Sequence, residues 1–261
     1  MLRLGVVNYL NAYPLWAAFE EPGVSRNGIE LVRGVPSFLA GELVAGRLDA
    51  ALISSVEYLR HRDEFVYHPE LCIAAREESC SIRLFVTEAT GPFLPAISRV
   101  SRIYTDYASR SSVAQLTVIL RHLQLTPELV EVSNAAERIP QLQPREALLA
   151  IGDTALANLQ RPSYDMQSEY FRLFHHGFVY ALWVYRPGLS HELEPALRTA
   201  YTTYKANEPV YLRQATERFG FSAEFTGRYL TQVISHVLRE NNQADLPFFT
   251  EKLGPTLTVR H

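Results

Sequence analysis

The first side chains that could take part in chemistry are the amides of Asn8 and Asn11, near the start of the chain. They follow an apolar run over residues 2–7, which predicts a strand buried on both faces of a parallel sheet. The two amides therefore lie at the carboxyl end of that strand, the edge at which open α/β sheets bind ligands. They could bind a polar ligand by hydrogen bonds, although asparagine is also a common turn residue.

Serine hydroxyls occupy two other places where a predicted strand gives way to a helix. One pair precedes a short helix predicted over residues 56–60, and a second group opens an amphipathic helix predicted over 113–123. The second group surrounds Arg110, and hydroxyls, free N–H groups and the positive end of a helix dipole together favour a carboxylate or phosphate. Helix capping is the alternative role. The serines are Ser54 and Ser55 in the first group, and Ser109, Ser111 and Ser112 in the second.

Two further polar positions belong to the same pattern. Gly152 and Asp153 follow a buried strand predicted over residues 146–151. Asp153 could cap the short helix that follows, or it could fix the floor of a ligand cleft. Ser81 begins another predicted strand, over residues 81–87. We expect all these polar turns to face one cleft.

Composition and motifs exclude several classes of protein. The 261 residues, 47% of them hydrophobic, are enough for one large domain or two moderate ones. A net charge of −3 argues against nucleic acid as a partner, and no apolar run approaches the roughly 18 residues of a membrane span. Neither the histidines nor Cys72 and Cys80 show a metal-ligand spacing. Nucleotide-binding and nucleophile-elbow motifs are also missing, so we expect neither a metal nor a cofactor.

The N-terminus has no basic segment followed by an apolar signal core, so we expect a cytoplasmic protein. The order of the predicted elements indicates two α/β lobes with a central cleft. Residues 1–86 and 179–261 are predicted to form lobe I, and residues 87–178 to form lobe II. The strands at 81–87 and 178–184 are the candidate hinge strands. This is the shape of a two-lobed type II periplasmic-binding-protein-like fold of the α/β class, with a helical C-terminal segment.

Three local predictions concern the connections and the tail. Residues 15–19 are predicted to form the first helix, with Pro14 suited to its first turn. The segment 163–172 is polar and is predicted to be irregular. The C-terminal segment is predicted to contain helices with no strands between them, over residues 190–207, 208–219, 223–240 and 243–253.

Four motifs give the chain a resemblance to a known family. They read N-Y-L-N-A-Y-P-L from residue 8, I-S-S-V-E-Y-L from residue 53, S-R-S-S-V from residue 109 and L-A-I-G-D-T-A-L from residue 149. In order and spacing they resemble the MqnA family, up to about residue 186. The S-P-C-P-N-D motif of the sister family MqnD is not present. The chain departs from the family at two segments. Where the family usually has D-L-G-x-x-W, residues 165–170 read D-M-Q-S-E-Y, and where it has G-L-P-F-V-F-A-x-W, residues 175–183 read H-H-G-F-V-Y-A-L-W.

The resemblance implies a chorismate dehydratase of the futalosine route to menaquinone. Such an enzyme converts chorismate to 3-[(1-carboxyvinyl)oxy]benzoate and water without a cofactor. Chorismate carries two carboxylates, so we expect hydroxyls and amides at the turns to hold both anions in a site short of fixed cations. The small-molecule substrate would be the main partner of a monomer or homodimer.

The same resemblance assigns roles to the polar residues. Asn11 is predicted to be the catalytic amide, which orients the enolpyruvyl carboxylate or the departing hydroxyl. Ser111 and Ser112 are predicted to anchor one carboxylate, with help from Ser55 and Ser81. The other predicted substrate-binding residues are Asn8, Ser109, Gly152 and Asp153.

Two other functions are compatible with such a fold. The chain could be a non-catalytic binding protein that holds a small carboxylate in the cleft and releases it unchanged. The effector domain of a regulator would require a DNA-binding segment, and no such segment is found in the sequence.

Overall fold

The structure, a computed structural model, describes residues 1–21, 28–88, 91–106, 110–238 and 244–254. Its strands are β1 Leu2–Val6, β2 Ile29–Arg33, β3 Ala50–Ser54, β4 Val66–Ala75, β5 Ile82–Val86, β6 Arg102–Asp106, β7 Glu128–Val132, β8 Glu146–Ile151, β9 Ser163–Asp165, β10 Phe178–Tyr185 and β11 Ile234–Val237.

Its α-helices are α1 Pro36–Val44, α2 Ser55–Arg60, α3 Phe93–Ile97, α4 Arg110–His122, α5 Ala135–Arg138, α6 Gly152–Leu156, α7 Met166–Phe174, α8 Ser190–Ala206, α9 Glu208–Phe219, α10 Ala223–Arg228 and α11 Asp245–Leu253. Short 3₁₀ turns cover Leu10–Leu15, Ala17–Glu20, Ile139–Gln141 and Pro187–Leu189, and Tyr229–Val233 is π-helical.

The strands form two sheets, and the first contains the start of the chain. As far as the chain is described, its order is β11-β4-β10-β3-β1-β2. β1 is parallel to β2 and β3, whereas β10 is antiparallel to β3 and β4. Because β1 and β3 are parallel neighbours, the chain leaves Val6 and Ser54 at the same edge of the sheet. The turn that carries Asn11 therefore lies next to the start of α2.

The second sheet, within the described ranges, has the order β7-β6-β8-β5-β9. β6 is parallel to β7 and β8, and β5 is antiparallel to β8 and β9. The chain therefore leaves Asp106 and Ile151 at one edge, and α4 and α6 begin close to it. Both sheets place strand-to-helix turns at the boundary between them, which confirms the predicted two-lobed α/β fold.

The central strand β10 was predicted well because it is apolar on both faces. Seven of its eight residues are buried and Ala181 is half-buried, as expected of a strand covered on both sides. β5 pairs in the second sheet with β8 and β9, whereas the predicted boundaries include residues 82–86 in lobe I. The chain thus changes sheet between β4 and β5, and returns between α7 and β10.

Three local predictions were wrong. Residues 15–19 form parts of two 3₁₀ turns rather than a helix, since the turn at Leu10–Leu15 contains Pro14 and the backbone leaves the helical conformation at Trp16, which has a φ of −138° and a ψ of −13°. The segment 163–172 forms β9 and most of α7, because the Asp165 carboxylate caps the helix by accepting from the Gln167 and Ser168 N–H groups.

The third error concerns the tail. A single helix was predicted over residues 223–240, but the α-helix ends at Arg228. A π-helical turn follows it, and the chain then forms the strand β11. β11 pairs with β4, with Ile234 opposite Ala75. Hydrogen bonds to a strand far away in the sequence therefore override the helical pattern.

Candidate active site

A cavity lies between the two sheets and is lined from both. Polar side chains come from three of the turns: Tyr9 and Asn11 after β1, Ser54 at the end of β3, and Arg110, Ser111 and Ser112 at the start of α4. Gly152, at the start of α6, faces them. Apolar side chains, among them Ile53, Ile73, Ile82 and Ile151, complete the lining together with Tyr180. A small molecule with a polar end and an apolar body fits this distribution.

Asn11 lines this cavity and has an unsatisfied amide oxygen. Its Oδ1 atom is buried and has no hydrogen-bond partner among the described residues. Leaving a buried polar atom without a partner costs about 1–3 kcal/mol. Such a cost is tolerated at sites where a ligand supplies the missing partner.

Two of the predicted anion-binding serines are committed to the protein itself. The Ser55 hydroxyl lies 2.7 Å from the carbonyl oxygen of Val179, and the Ser111 hydroxyl lies 2.9 Å from that of Tyr180. The two hydroxyl oxygens are 3.1 Å apart. Because each hydroxyl has a single hydrogen to donate, both donors are used to tie α2 and α4 to β10.

Among the described residues at the α4 end of the cavity, Ser112 and Arg110 are the polar lining side chains that make no hydrogen bond to β10. Ser112 is buried and lines the cavity. Arg110 also lines it, and its Nε lies 3.1 Å from Oε1 of Glu57. The expectation of a site short of fixed cations was therefore wrong, since a guanidinium stands at the cavity wall. Glu57 also pairs with Arg60, so one carboxylate faces two cations.

Gly152 and Asp153 contact the turn that carries Asn11. Gly152 has a φ of +56°, and a β-carbon on it would lie 3.1 Å from Cδ2 of Tyr9. The Leu10 N–H donates to Oδ1 of Asp153 over 3.0 Å. Burial raises the pKa of Asp153 to about 6, although the Leu10 N–H acts in the opposite direction. Both contacts join the two sheets beside the cavity.

A buried polar network supports the cavity beneath Tyr180. The Tyr180 hydroxyl lies 3.2 Å from Oε1 of Gln115 and 3.1 Å from Oε1 of Gln167. Nε2 of Gln115 donates to Oε1 of Gln167 over 2.8 Å. Burial raises the pKa of Tyr180 well above its usual value, so its hydroxyl is a proton donor and not an anion.

The remaining predicted residues lie outside the lining. Asn8 is exposed, and its Oδ1 accepts from Arg218 over 3.3 Å. The Ser81 hydroxyl is buried and donates to the carbonyl oxygen of Ser79. Ser109 lies outside the described residues. These substrate-binding assignments stay predictions.

Three residues of this region were not predicted from the sequence to take part in the site. Tyr9 and Tyr180 belong to a predicted turn and a predicted strand to which no site role was assigned, whereas Arg110 was already part of the predicted anion-favouring group. His236 fell inside the wrongly predicted helix, yet its Nε2 lies 2.8 Å from the carbonyl oxygen of Asn11. No spacing in the sequence signals this contact, since 225 residues separate the pair.

Among the described residues, no group of three or more histidine, cysteine or acidic side chains is placed to hold a metal ion. In the same part of the chain, the helices are too short or too polar to cross a membrane.

Two α/β sheets with a cavity between them are typical of the class of periplasmic-binding-protein-like folds. Solved structures share this architecture. A protein of Archaeoglobus fulgidus superposes with a TM-score of 0.74 at 13% identity, over 96% of both chains. The periplasmic aliphatic sulphonate binding protein of Escherichia coli superposes with a TM-score of 0.63 at 15% identity, over 96% of this chain and 86% of that one. These likenesses define the fold.

Within this class, the chain belongs to the menaquinone biosynthesis family, whose model matches residues 2–254. One relative, the chorismate dehydratase of Thermus thermophilus, is 27% identical over 276 aligned positions, which cover 96% of this chain and 94% of that protein. Family membership confirms the resemblance that the four motifs indicated.

Proposed function

We propose that the protein is a chorismate dehydratase, which removes water from chorismate to form 3-[(1-carboxyvinyl)oxy]benzoate for menaquinone synthesis by the futalosine route. The observation that carries this proposal is the unpaired amide oxygen of Asn11, a residue that lines the same cavity as Ser112 and Arg110. The name of the Thermus thermophilus relative supports the choice of substrate.

The chemistry of chorismate matches the distribution of groups in the cavity. The apolar lining suits the ring, and the start of α4 suits a carboxylate through Ser112, Arg110 and the free N–H groups of the first turn. Ser55 and Ser111 act indirectly, because their hydroxyls hold the first turn of α4 against β10.

The reaction removes the proton on ring carbon 3 and the hydroxyl on carbon 4. The proton on carbon 3 is vinylogous to the ring carboxylate, so hydrogen bonds to that carboxylate stabilise the negative charge as it develops. Among the described residues, the lining contains no histidine or carboxylate that could act as a general base. In this proposal the substrate's enolpyruvyl carboxylate takes the proton, the hydroxyl leaves as water with that proton, and the ring becomes aromatic.

Asn11 orients the groups that exchange the proton. Its Oδ1 can accept from the hydroxyl on carbon 4, and its Nδ2 can donate to the enolpyruvyl carboxylate. Losing one such contact to the transition state costs about 3 kcal/mol, or roughly a hundredfold in rate. Asn11→Ala is therefore expected to lower kcat about a hundredfold while the protein stays folded.

The test is to incubate the purified protein with chorismate and a chelator and to follow products by chromatography and mass spectrometry. Catalytic formation of a product lighter by one water supports the dehydratase, and loss of that product in Asn11→Ala supports the role of the amide. Binding of chorismate without turnover would instead identify a binding protein for small carboxylates. A wild-type rate in folded Asn11→Ala would refute the assignment of Asn11.

A further inference from the structure

The backbone around Asn11 is held at two consecutive residues by side chains from distant elements. The Leu10 N–H donates to Oδ1 of Asp153 over 3.0 Å. The carbonyl oxygen of Asn11 lies 2.8 Å from Nε2 of His236. Asp153 belongs to α6, beside the second sheet, and His236 belongs to β11, at the edge of the first.

The protonation state of His236 follows from its partner. A carbonyl oxygen only accepts hydrogen bonds, so Nε2 must carry the hydrogen. The side chain is buried, and burial lowers the pKa of His236 to about 4, with a smaller opposing effect from the bond to Asn11 and a lowering effect of Lys205. The ring is therefore neutral at ordinary pH and holds its hydrogen on the atom that faces Asn11.

These contacts matter because the Asn11 amide oxygen is not held by a hydrogen bond of its own. Its Oδ1 has no partner among the described residues, so the direction of the amide depends on the backbone that carries it. That backbone is a 3₁₀ turn, in which the Ala12 N–H donates to the carbonyl oxygen of Tyr9 over 3.0 Å. Hydrogen-bond geometry is poorer in such turns than in an α-helix.

We propose that His236 and Asp153 are positioning residues, which hold the backbone at the consecutive residues Leu10 and Asn11 and thereby set the position of the Asn11 amide at the cavity. The proposal rests on the proposed function, in which Asn11 acts on the substrate. It assigns a part in the active site to the C-terminal strand β11. It also makes the site depend on both sheets, since one contact comes from each.

The first test compares variants of His236 with a matched buried histidine. His68 is also buried, and its Nε2 lies 3.2 Å from the backbone carbonyl of Glu194. Since a misplacement of about 1 Å can cost a hundredfold in rate, we expect His236→Leu to lower kcat for chorismate by about 10- to 100-fold with little change in KM. His236→Gln, whose amide can donate from a similar position, should recover most of kcat. His68→Leu should lower the melting temperature but leave kcat within about twofold.

The second test applies the same comparison to Asp153. Asp153→Asn keeps an oxygen that can accept from the Leu10 N–H, whereas Asp153→Ala removes it. We expect Asp153→Asn to retain most of the wild-type kcat and Asp153→Ala to lose most of it. Thermal unfolding of each variant separates this effect from a loss of folded protein.

Crystal structures of the same variants give a readout that does not need turnover. We expect the Asn11 amide to be displaced in His236→Leu and Asp153→Ala, and to keep its place in His236→Gln and Asp153→Asn. If the wild type does not dehydrate chorismate, the proposed function fails, and the position of Asn11 in these crystals still decides the inference. Asn11 unmoved in both the Leu and Ala variants, or kcat unchanged in both, would overturn it.

Discussion

The ring of Tyr9 packs directly on the α-carbon of Gly152, so that a β-carbon at this position would lie 3.1 Å from Cδ2 of the ring. The two residues follow strands of different sheets and both line the cavity. The contact therefore sets how closely the two sheets approach each other beside Asn11. A residue without a side chain is required there for two reasons, since Gly152 also has a φ of +56°.

Gly152→Ala should therefore disturb both folding and the site. A positive φ costs an alanine about 1–2 kcal/mol, and the added methyl group must displace Tyr9. We expect a lower melting temperature together with a lower kcat/KM for chorismate. Gly220→Ala is the matched control, because Gly220 has a φ of +74° and a methyl group added to it would have no atom within 4 Å. It should lower stability alone, and equal kinetic losses in both variants would contradict the explanation.

The Ser55 and Ser111 hydroxyls should contribute to stability as a pair. Each substitution by alanine leaves a buried carbonyl of β10 without its donor, which we expect to cost about 1–3 kcal/mol of unfolding free energy. Because the hydroxyls also contact each other, the double variant should be more stable than the sum of the single losses predicts, by about 0.5 kcal/mol or more. Urea unfolding of the wild type, the two single variants and the double variant measures this coupling. Ser98 is the control, because it is an exposed serine whose hydroxyl donates to the Leu94 carbonyl oxygen. The losses of unfolding free energy in Ser98→Ala and Ser55→Ala should simply add in their double variant.

Arg110 should contribute to substrate affinity through its charge. A hydrogen bond to a charged group contributes about 1.5–3 kcal/mol, so Arg110→Gln should raise KM for chorismate by roughly 10- to 100-fold. The effect should weaken at high ionic strength, since salt screens the attraction. Arg60→Gln is the control, because Arg60 shares the partner Glu57 but does not line the cavity. Similar increases of KM in both variants would show that the effect comes from Glu57 and not from contact with substrate.

His236 should make stability depend on pH between about 4 and 6.5. Burial lowers its pKa to about 4 in the folded protein, so the unfolded chain binds the extra proton in this range. Unfolding free energy should then rise with pH by about 3 kcal/mol from this group. Asp153, with its pKa raised to about 6, has the opposite dependence. We therefore compare wild type with His236→Gln, in which the contribution of Asp153 cancels.

The measurement is chemical unfolding at a series of pH values. The difference between the two proteins should grow as pH rises from 4 to 6.5 and stay constant above that. A difference that does not vary with pH would show that His236 can be protonated in the folded protein without cost.

Much of the fold could be predicted from local pattern. The apolar runs that became β1 and β10 are largely buried, and a buried strand in a parallel or mixed sheet requires little beyond such a run. The polar turns between predicted strands and helices were also recognisable. Asn11, Ser111, Ser112 and Gly152 line one cavity, because the parallel strands of each sheet end at one edge and the cavity is lined from both of these edges.

Predictions from local sequence pattern were wrong where contacts with residues far away in the chain decide the structure. Residues 223–240 have helical spacing throughout, but β4 offers an unpaired edge that only the folded sheet creates, and β11 pairs with it. Whether a serine hydroxyl bonds to the protein also depends on a partner far away in the sequence. Ser111 and Ser112 are neighbours of the same type, and only the position of the Tyr180 carbonyl commits the first to the protein.

The sequence by itself determined the two-sheet α/β architecture, the polar turns that meet at its cleft and the family to which the chain belongs, because short-range patterns of apolar and turn residues encode these features. Tertiary structure alone decided that Arg110 lines the cavity, that Ser55 and Ser111 bond to β10, and that His236 reaches Asn11. Each of these contacts joins residues far apart in the chain, and their distances depend on how the sheets pack.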